Sequence, residues 1–162
     1  MEYDVVIVGA GPAGLTTAIK LKQLDPNLNV CILEKGSEVG AHILSGNVFE
    51  TKALDELIPN WKNEGAPVKT KVSKEKFLFL GKNSSLSWPT WLLPSVQKNH
   101  KNYIVSLANL CRWLAEQAEK LGVEIFPGFP ASEVLYNEDG SIKGVATLDM
   151  GLDKEGNKKD TY

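Results

Sequence analysis

The chain has 162 residues, 43% of them hydrophobic and 23% charged, which suits a soluble globular protein with one sizeable core. Eighteen Lys and Arg against twenty Asp and Glu leave a net charge of −2, so there is no basic excess for nucleic-acid binding. The longest stretch free of polar side chains, Val5 to Leu15, holds eleven residues, well short of the about 20 that a membrane-spanning helix needs.

Tyr3 to Val8 is a short β-branched run of the kind found in a parallel strand buried on both faces. It begins almost at Met1, which leaves no room for a targeting sequence. Gly9-Ala10-Gly11-Pro12-Ala13-Gly14 follows at once, and then Leu15, Ala18, Ile19 and Leu21 recur at helical spacing. A G-x-G-x-x-G motif between a strand and a helix is the context that gives the pattern meaning. Gly9 permits the tight turn, Gly11 lets backbone approach a pyrophosphate, and Gly14 lets the helix lie close on the strand. The helix start then offers free N–H groups and the positive end of its dipole to phosphates. A second strand runs from Asn29 to Leu33 and ends in Glu34, 20 residues beyond Gly14. There an acidic side chain can hold ribose hydroxyls. Strand, glycines, helix, strand and acid in register predict dinucleotide binding.

From about residue 40 to 105 the βαβ rhythm is lost, and an irregular insertion is expected within a single domain. Gly40 to Gly46 is a small-residue loop, and Thr51 to Ile58 carries a short helix signal. Val68–Val72, Lys76–Gly81 and Ser84–Trp88 read as short strands. Trp88 to Pro94 is an uncharged apolar loop with two Trp, two Leu and two Pro. Either burial under a neighbouring domain or contact with a membrane surface would suit it. His100, among Lys98, Asn99 and Lys101, reads as a surface residue.

The helical period returns over Ser106–Leu121. Leu107, Leu110, Cys111, Leu114, Ala118 and Leu121 form one stripe, and Arg112, Glu116, Glu119 and Lys120 face away. Gly122 is placed to stop that helix. Val123–Phe126 makes the next strand, and Ser132–Tyr136 with Ser141–Leu148 forms a hairpin around Asn137 to Gly140. The tail after Asp149 is a polar hairpin tip or loose end, and the basic clusters Lys69–Lys76 and Lys154–Lys159 read as solvated faces. Cys31 and Cys111 sit in apolar patterns and read as reduced core thiols of an intracellular protein. Two cysteines cannot ligate an iron–sulfur cluster that wants four.

The Val5 to Leu15 opening, with Glu34-Lys35 closing the second strand, resembles FAD-dependent oxidoreductases of the glutathione-reductase class. Narrower matches are Gly40-Ala41-His42-Ile43-Leu44-Ser45-Gly46, Trp61-Lys62, Gly65-Ala66-Pro67, Asn102 to Val105, Gly122-Val123-Glu124, Pro127-Gly128 and Asp149-Met150-Gly151. With these, essentially the whole chain resembles the electron-transfer flavoprotein:ubiquinone oxidoreductases. The resemblance implies an α/β, Rossmann-like FAD-binding domain, a βαβ parallel sheet plus a β-hairpin layer, incomplete at its C-terminus. It implies an enzyme that takes electrons from reduced electron-transfer flavoprotein and passes them to ubiquinone, peripheral on an inner membrane. Its [4Fe–4S] cluster and quinone domain are expected only beyond Tyr162.

By position, Gly9, Gly11, Pro12, Ala13 and Gly14 would cradle the FAD pyrophosphate, Glu34 would hold the adenosine ribose, and Lys35 would flank the adenine. Gly40, Ala41, His42 and Ser45 would approach the flavin, with a polar loop residue as the other reading of His42. Val134 would meet adenine through its backbone. Ser106 departs from the pattern, because some members carry arginine there. No nucleophile–base constellation is visible, as expected where a flavin carries the chemistry. Three readings compete with a working oxidoreductase: an FAD-binding fragment without turnover, another flavoprotein of the geranylgeranyl reductase type, and a nicotinamide-dependent dehydrogenase. In a 3-2-1-4 sheet the first strand needs a further neighbour after the hairpin. Residues 1–162 alone are therefore expected to be poorly soluble and to hold little flavin.

Overall fold

The computed structural model describes residues 1–148. The reading of the tail after Asp149, the Asp149-Met150-Gly151 block and the Lys154–Lys159 cluster lie outside the described residues. In chain order the elements are β1 (Val5–Val8), α1 (Pro12–Leu24), β2 (Val30–Glu34), β3 (Ser45–Phe49) and α2 (Lys52–Leu57). Next come β4 (Thr70–Lys71), β5 (Phe77–Leu80), β6 (Ser85–Trp88), β7 (Tyr103–Ser106) and α3 (Leu107–Lys120). The last three are β8 (Glu124–Pro127), β9 (Ala131–Tyr136) and β10 (Ile142–Thr147). Where the sequence pattern suggests one domain interrupted at about 40–105, the chain forms two compact units. One holds Met1–Ile43 and the chain from Cys111; the other is Leu44–Leu110.

The first unit is α/β, built on a parallel sheet in the order β1-β2-β8. Val5 to Val8 pair in register with Val30 to Leu33, and Cys31 to Glu34 pair with Glu124 to Pro127. β2, in the middle, buries Val30, Cys31 and Ile32 completely. β1 is different. The run Tyr3–Val8 suggests burial on both faces, yet Val6 is 37% and Val8 59% exposed. Among the described residues β1 pairs only with β2, and its outer face borders a cavity of about 630 Å³ that Val6, Leu135 and Val145 help to line. Only the face carrying Ile7 has close cover, from α1, whose Gly14 lies against it.

α1 follows from its spacing: Leu15, Ala18, Ile19 and Lys22 recur on one face and are buried. α3 buries a wider stripe than the apolar pattern suggests. Leu110, Cys111, Leu114 and Ala118 are buried as expected, but so are Trp113, Ala115 and Gln117, while Leu121 stays 40% exposed. The added positions lie beside the expected stripe, and the Gln117 amide donates to the Trp113 carbonyl. α3 ends as Gly122 allows. That residue adopts φ +82°, its N–H donates to Glu119 O, and the Val123 N–H donates to Ala118 O, a Schellman closure that favours glycine. β9 and β10 form a separate antiparallel hairpin, with Val134 opposite Val145. Cys31 and Cys111 are buried free thiols.

The second unit is less irregular than the sequence suggests. It holds an antiparallel sheet in the order β3-β7-β4. Two of its strands are missed by the sequence pattern: β3 opens inside the small-residue loop, at Ser45, and β7 spans Tyr103–Ser106. The run Val68–Val72 contributes only Thr70–Lys71. Leu54, Ile58, Trp61, Ala66, Val68, Leu93 and Val105 are buried. The Trp61 indole N–H donates to Asp55 at 2.7 Å, and its ring meets Tyr103 edge-on at 6.1 Å. That hydrogen bond, with a second from Thr51, holds the Asp55 carboxyl below its ordinary range. β5 and β6 pair as a hairpin in which all eight residues are exposed. Two 3-10 turns, Thr90–Leu92 and Ser95–Gln97, follow it.

Candidate functional site: the glycine-rich turn

The turn between β1 and α1 is shaped by three glycines, each for a different reason. Gly9 sits at φ +102°, in the region where a side chain is strained. Gly14 lies so close to the turn that a Cβ there would strike the Gly9 carbonyl oxygen and stand 3.1 Å from Ile7 Cγ2. Gly11 has an ordinary extended backbone (φ −80°, ψ 179°), and a Cβ built on it would meet nothing within 4 Å. Its side-chain position therefore opens onto free space.

α1 starts at that space. Pro12 occupies its first turn, Gly11 is its N-cap, no side chain caps it, and its first turn has no acidic residue. The first bond into the helix is Leu15 N–H to Gly11 O at 3.0 Å, which leaves the Ala13 and Gly14 N–H groups free of a helical acceptor. Two adjacent donors at the positive end of a 13-residue helix, with no acidic residue in its first turn, suit an anion. These residues fit a pyrophosphate.

Glu34 ends β2 beside the turn. Its Oε2 accepts the Ala10 N–H at 2.8 Å and its Oε1 accepts the Gly36 N–H at 2.7 Å. The Gly9 N–H donates to Leu33 O at 2.7 Å, so the two strand ends are joined by backbone as well. Cys111 is buried close by. Desolvation first, and the Glu34 charge second, push its thiol from 9.0 to about 11. It stays protonated and inert at neutral pH.

The structure thus brings Gly9, Gly11, Pro12, Ala13, Gly14 and Glu34 together. No described hydrogen bond links the other expected residues to this turn. Lys35 is exposed next to Glu34. Gly40 is buried at φ +86°, and Ala41 and His42 beyond it are exposed. Ser45 is an exposed residue of the second unit, at the start of β3. Val134 is exposed on β9. Ser106 has a local role, its Oγ accepting the Asn109 N–H at 3.4 Å one residue before α3 begins. Two residues that sequence reasoning passed over are Ala10 and Gly36, whose N–H groups meet Glu34. A glycine two residues after the acid was the available signal. Among the described residues no group of three or more His, Cys, Asp or Glu could hold a metal ion, and no helix is long and apolar enough to cross a membrane.

Strand, glycine turn, helix and terminal acid define the βαβ unit of an α/β dinucleotide-binding fold. The Thi4 family matches residues 1–57. A geranylgeranyl bacteriochlorophyll reductase-like protein from Thermoplasma acidophilum shares the fold with a TM-score of 0.63 and 23% identity, over 90% of this chain and 34% of that one. The myxobacterial chondrochloren halogenase CndH, described as a variant of FAD-dependent halogenases, superimposes with a TM-score of 0.59 and 18% identity over 96% of this chain and 34% of its own. Sequence is more specific. Electron transfer flavoprotein-ubiquinone oxidoreductase of Oryza sativa subsp. japonica is 57% identical over 166 aligned residues, covering 100% of this chain and 28% of that protein. The chain is a homologue of that oxidoreductase over all of its own length, and spans little more than a quarter of its relative.

Proposed function

We propose that the chain is the FAD-binding portion of a flavoprotein oxidoreductase that accepts electrons from reduced electron-transfer flavoprotein and delivers them to ubiquinone. The observation that supports this most directly is the open space at Gly11, the N-cap of α1, next to the Ala13 and Gly14 N–H groups in its uncapped first turn. The identity to the rice oxidoreductase supports the choice of partners. When bound, FAD supplies the one- and two-electron redox chemistry. The chain's own residues hold it. Gly9, Gly11, Pro12, Ala13 and Gly14 would cradle the pyrophosphate, and Glu34 would take the ribose hydroxyls on its remaining lone pairs. Lys35 and Val134 would border the adenine, and Gly40, Ala41, His42 and Ser45 would approach the flavin. The [4Fe–4S] cluster belongs, in this proposal, to sequence outside residues 1–162.

Membrane contact is part of the same proposal. The β5–β6 hairpin places Phe77, Phe79, Leu86 and Trp88 on one exposed face, and Trp91 (74% exposed) and Leu92 follow it. Such a surface suits the interface of a membrane, the inner membrane for this function. The test of the core proposal is titration, with FAD and with NAD, of the chain extended to the length of its relatives, followed by exposure of the loaded protein to reduced electron-transfer flavoprotein. FAD uptake with flavin absorbance, and bleaching of that absorbance by the reduced donor, are expected. Preference for NAD would overturn it.

A further inference from the structure

The three strand ends of the parallel sheet meet at one point. Besides the Gly9 N–H to Leu33 O bond, Gly36 O accepts the Gly128 N–H at 2.7 Å and Glu34 O accepts the Phe129 N–H at 3.0 Å. The side chain that joins this knot is Glu34, and it does so with both carboxylate oxygens. One reaches Ala10, 24 residues back, and the other reaches Gly36, two residues on. The carboxylate therefore spans the turn after β1 and the turn after β2.

We propose that Glu34 is a positioning residue whose carboxylate fixes the Ala10 segment of the glycine-rich turn before any ligand arrives, so that Gly11 and the free N–H groups of α1 already face the pyrophosphate. The identity of the ligand rests on the FAD reading above; the fixing itself needs no ligand. The chemistry separates this role from ribose binding. Ribose hydroxyls both donate and accept, so a carboxamide could replace a carboxylate opposite them. Two backbone N–H groups only donate, so both partner atoms must be acceptors. Glutamate meets that requirement. Glutamine has the same size and shape but turns an NH₂ toward one of the two donors, leaving it unpaired. Position 36 is cleared for the arrangement, since a Cβ there would stand 3.1 Å from Glu34 Oε1.

The experiment compares the unmutated chain, extended to the length of its relatives, with Glu34→Gln and Gly11→Val in the same background. It measures amide hydrogen exchange at Ala10 and Gly36 without ligand and, in parallel, the affinity for FAD. In Glu34→Gln, exchange at one or both amides rises by about tenfold, the loss expected for one charge-assisted bond, and FAD affinity falls by a similar factor. In Gly11→Val, FAD binding is lost while Ala10 exchange stays at its unmutated rate. Unchanged exchange in Glu34→Gln overturns the proposal even if FAD affinity drops, because Glu34 would then act on the ribose alone. Failure of the FAD reading looks different: the unmutated chain takes up no FAD, while the exchange comparison still decides the role of Glu34. Should Glu34→Gln not fold, scalar coupling across the hydrogen bond from the Ala10 nitrogen to the Glu34 carboxyl carbon decides in the unmutated chain. Its absence overturns the proposal.

Discussion

The glycine-rich turn and the β5–β6 hairpin put opposite demands on their residues. In the turn the main chain is held at each step: Gly9 by its φ, Gly14 by the carbonyl it lies against, Ala10 by the Glu34 carboxylate. What remains open is the space over Gly11. In the hairpin the ladder Phe77–Leu80 with Ser85–Trp88 is complete, but the side chains are unused. Aromatic contacts such as Phe79 with Trp88, 6.0 Å between ring centres, leave both rings exposed. One region is built from main-chain donors and the absence of side chains. The other exposes apolar side chains on a paired hairpin. A substitution should therefore act on shape in the first and on surface chemistry in the second.

Gly11→Val tests that contrast most sharply. Because Gly11 has an extended backbone and no neighbour within 4 Å, the variant should keep its stability within about 1 kcal/mol. It should lose FAD binding altogether, as read by flavin absorbance after gel filtration. Undiminished binding would remove the turn from the cofactor site. Gly14→Ala should act first on stability. Its methyl group meets the Gly9 carbonyl, backbone that cannot rotate away, so urea denaturation should show a loss of about 3 kcal/mol.

For the hairpin region, a Trp91→Ser, Leu92→Ser double variant exchanges two exposed apolar side chains and should leave stability within about 0.5 kcal/mol. Its partition onto vesicles in a sedimentation assay should weaken about tenfold. Equal partition of variant and parent would assign that surface to another protein segment instead. The smallest effect is expected beneath the turn. The Cys111 thiol is raised from 9.0 to about 11, so the folded state favours the neutral form. Its contribution to stability is complete below pH 9 and is lost as pH rises toward 11. Denaturation midpoints measured at pH 8, 9 and 10 should fall less steeply in Cys111→Ala than in the parent.

The sequence made the turn legible because glycine spacing encodes backbone geometry directly. Gly9 takes the turn conformation and Gly14 the close approach to the strand that their positions imply, and a Cβ at Gly11 would meet nothing within 4 Å. β2 and the face of α3 carrying Leu110, Cys111, Leu114 and Ala118 were legible through periodicity. The misses have one cause: burial decided by neighbours distant in sequence. Val6 and Val8 look like core, but nothing described packs closely on their outer face. Trp113 and Gln117 fall outside an apolar stripe and are buried all the same. Ser45–Phe49 joins a sheet because it finds Tyr103–Ser106, more than 50 positions along the chain, and Ser-Gly-Asn-Val-Phe has no alternation to announce it. Glu34 was legible as an acid at a strand end. That both its oxygens accept backbone N–H groups was not, because that depends on how two turns approach in space.

Lys22 carries a practical consequence. It is buried, at 8% exposure, on the inner face of α1, and its ammonium donates to the carbonyls of Pro26 at 2.6 Å and Leu28 at 2.9 Å. An amine-reactive reagent can reach this nitrogen only after those bonds open. Lys20, exposed two positions earlier on the same helix, reacts without any opening. The ratio of acylation at the two sites, read from one peptide map, is then an internal clock for the breathing of α1 and the turn that follows it. It needs no engineered label.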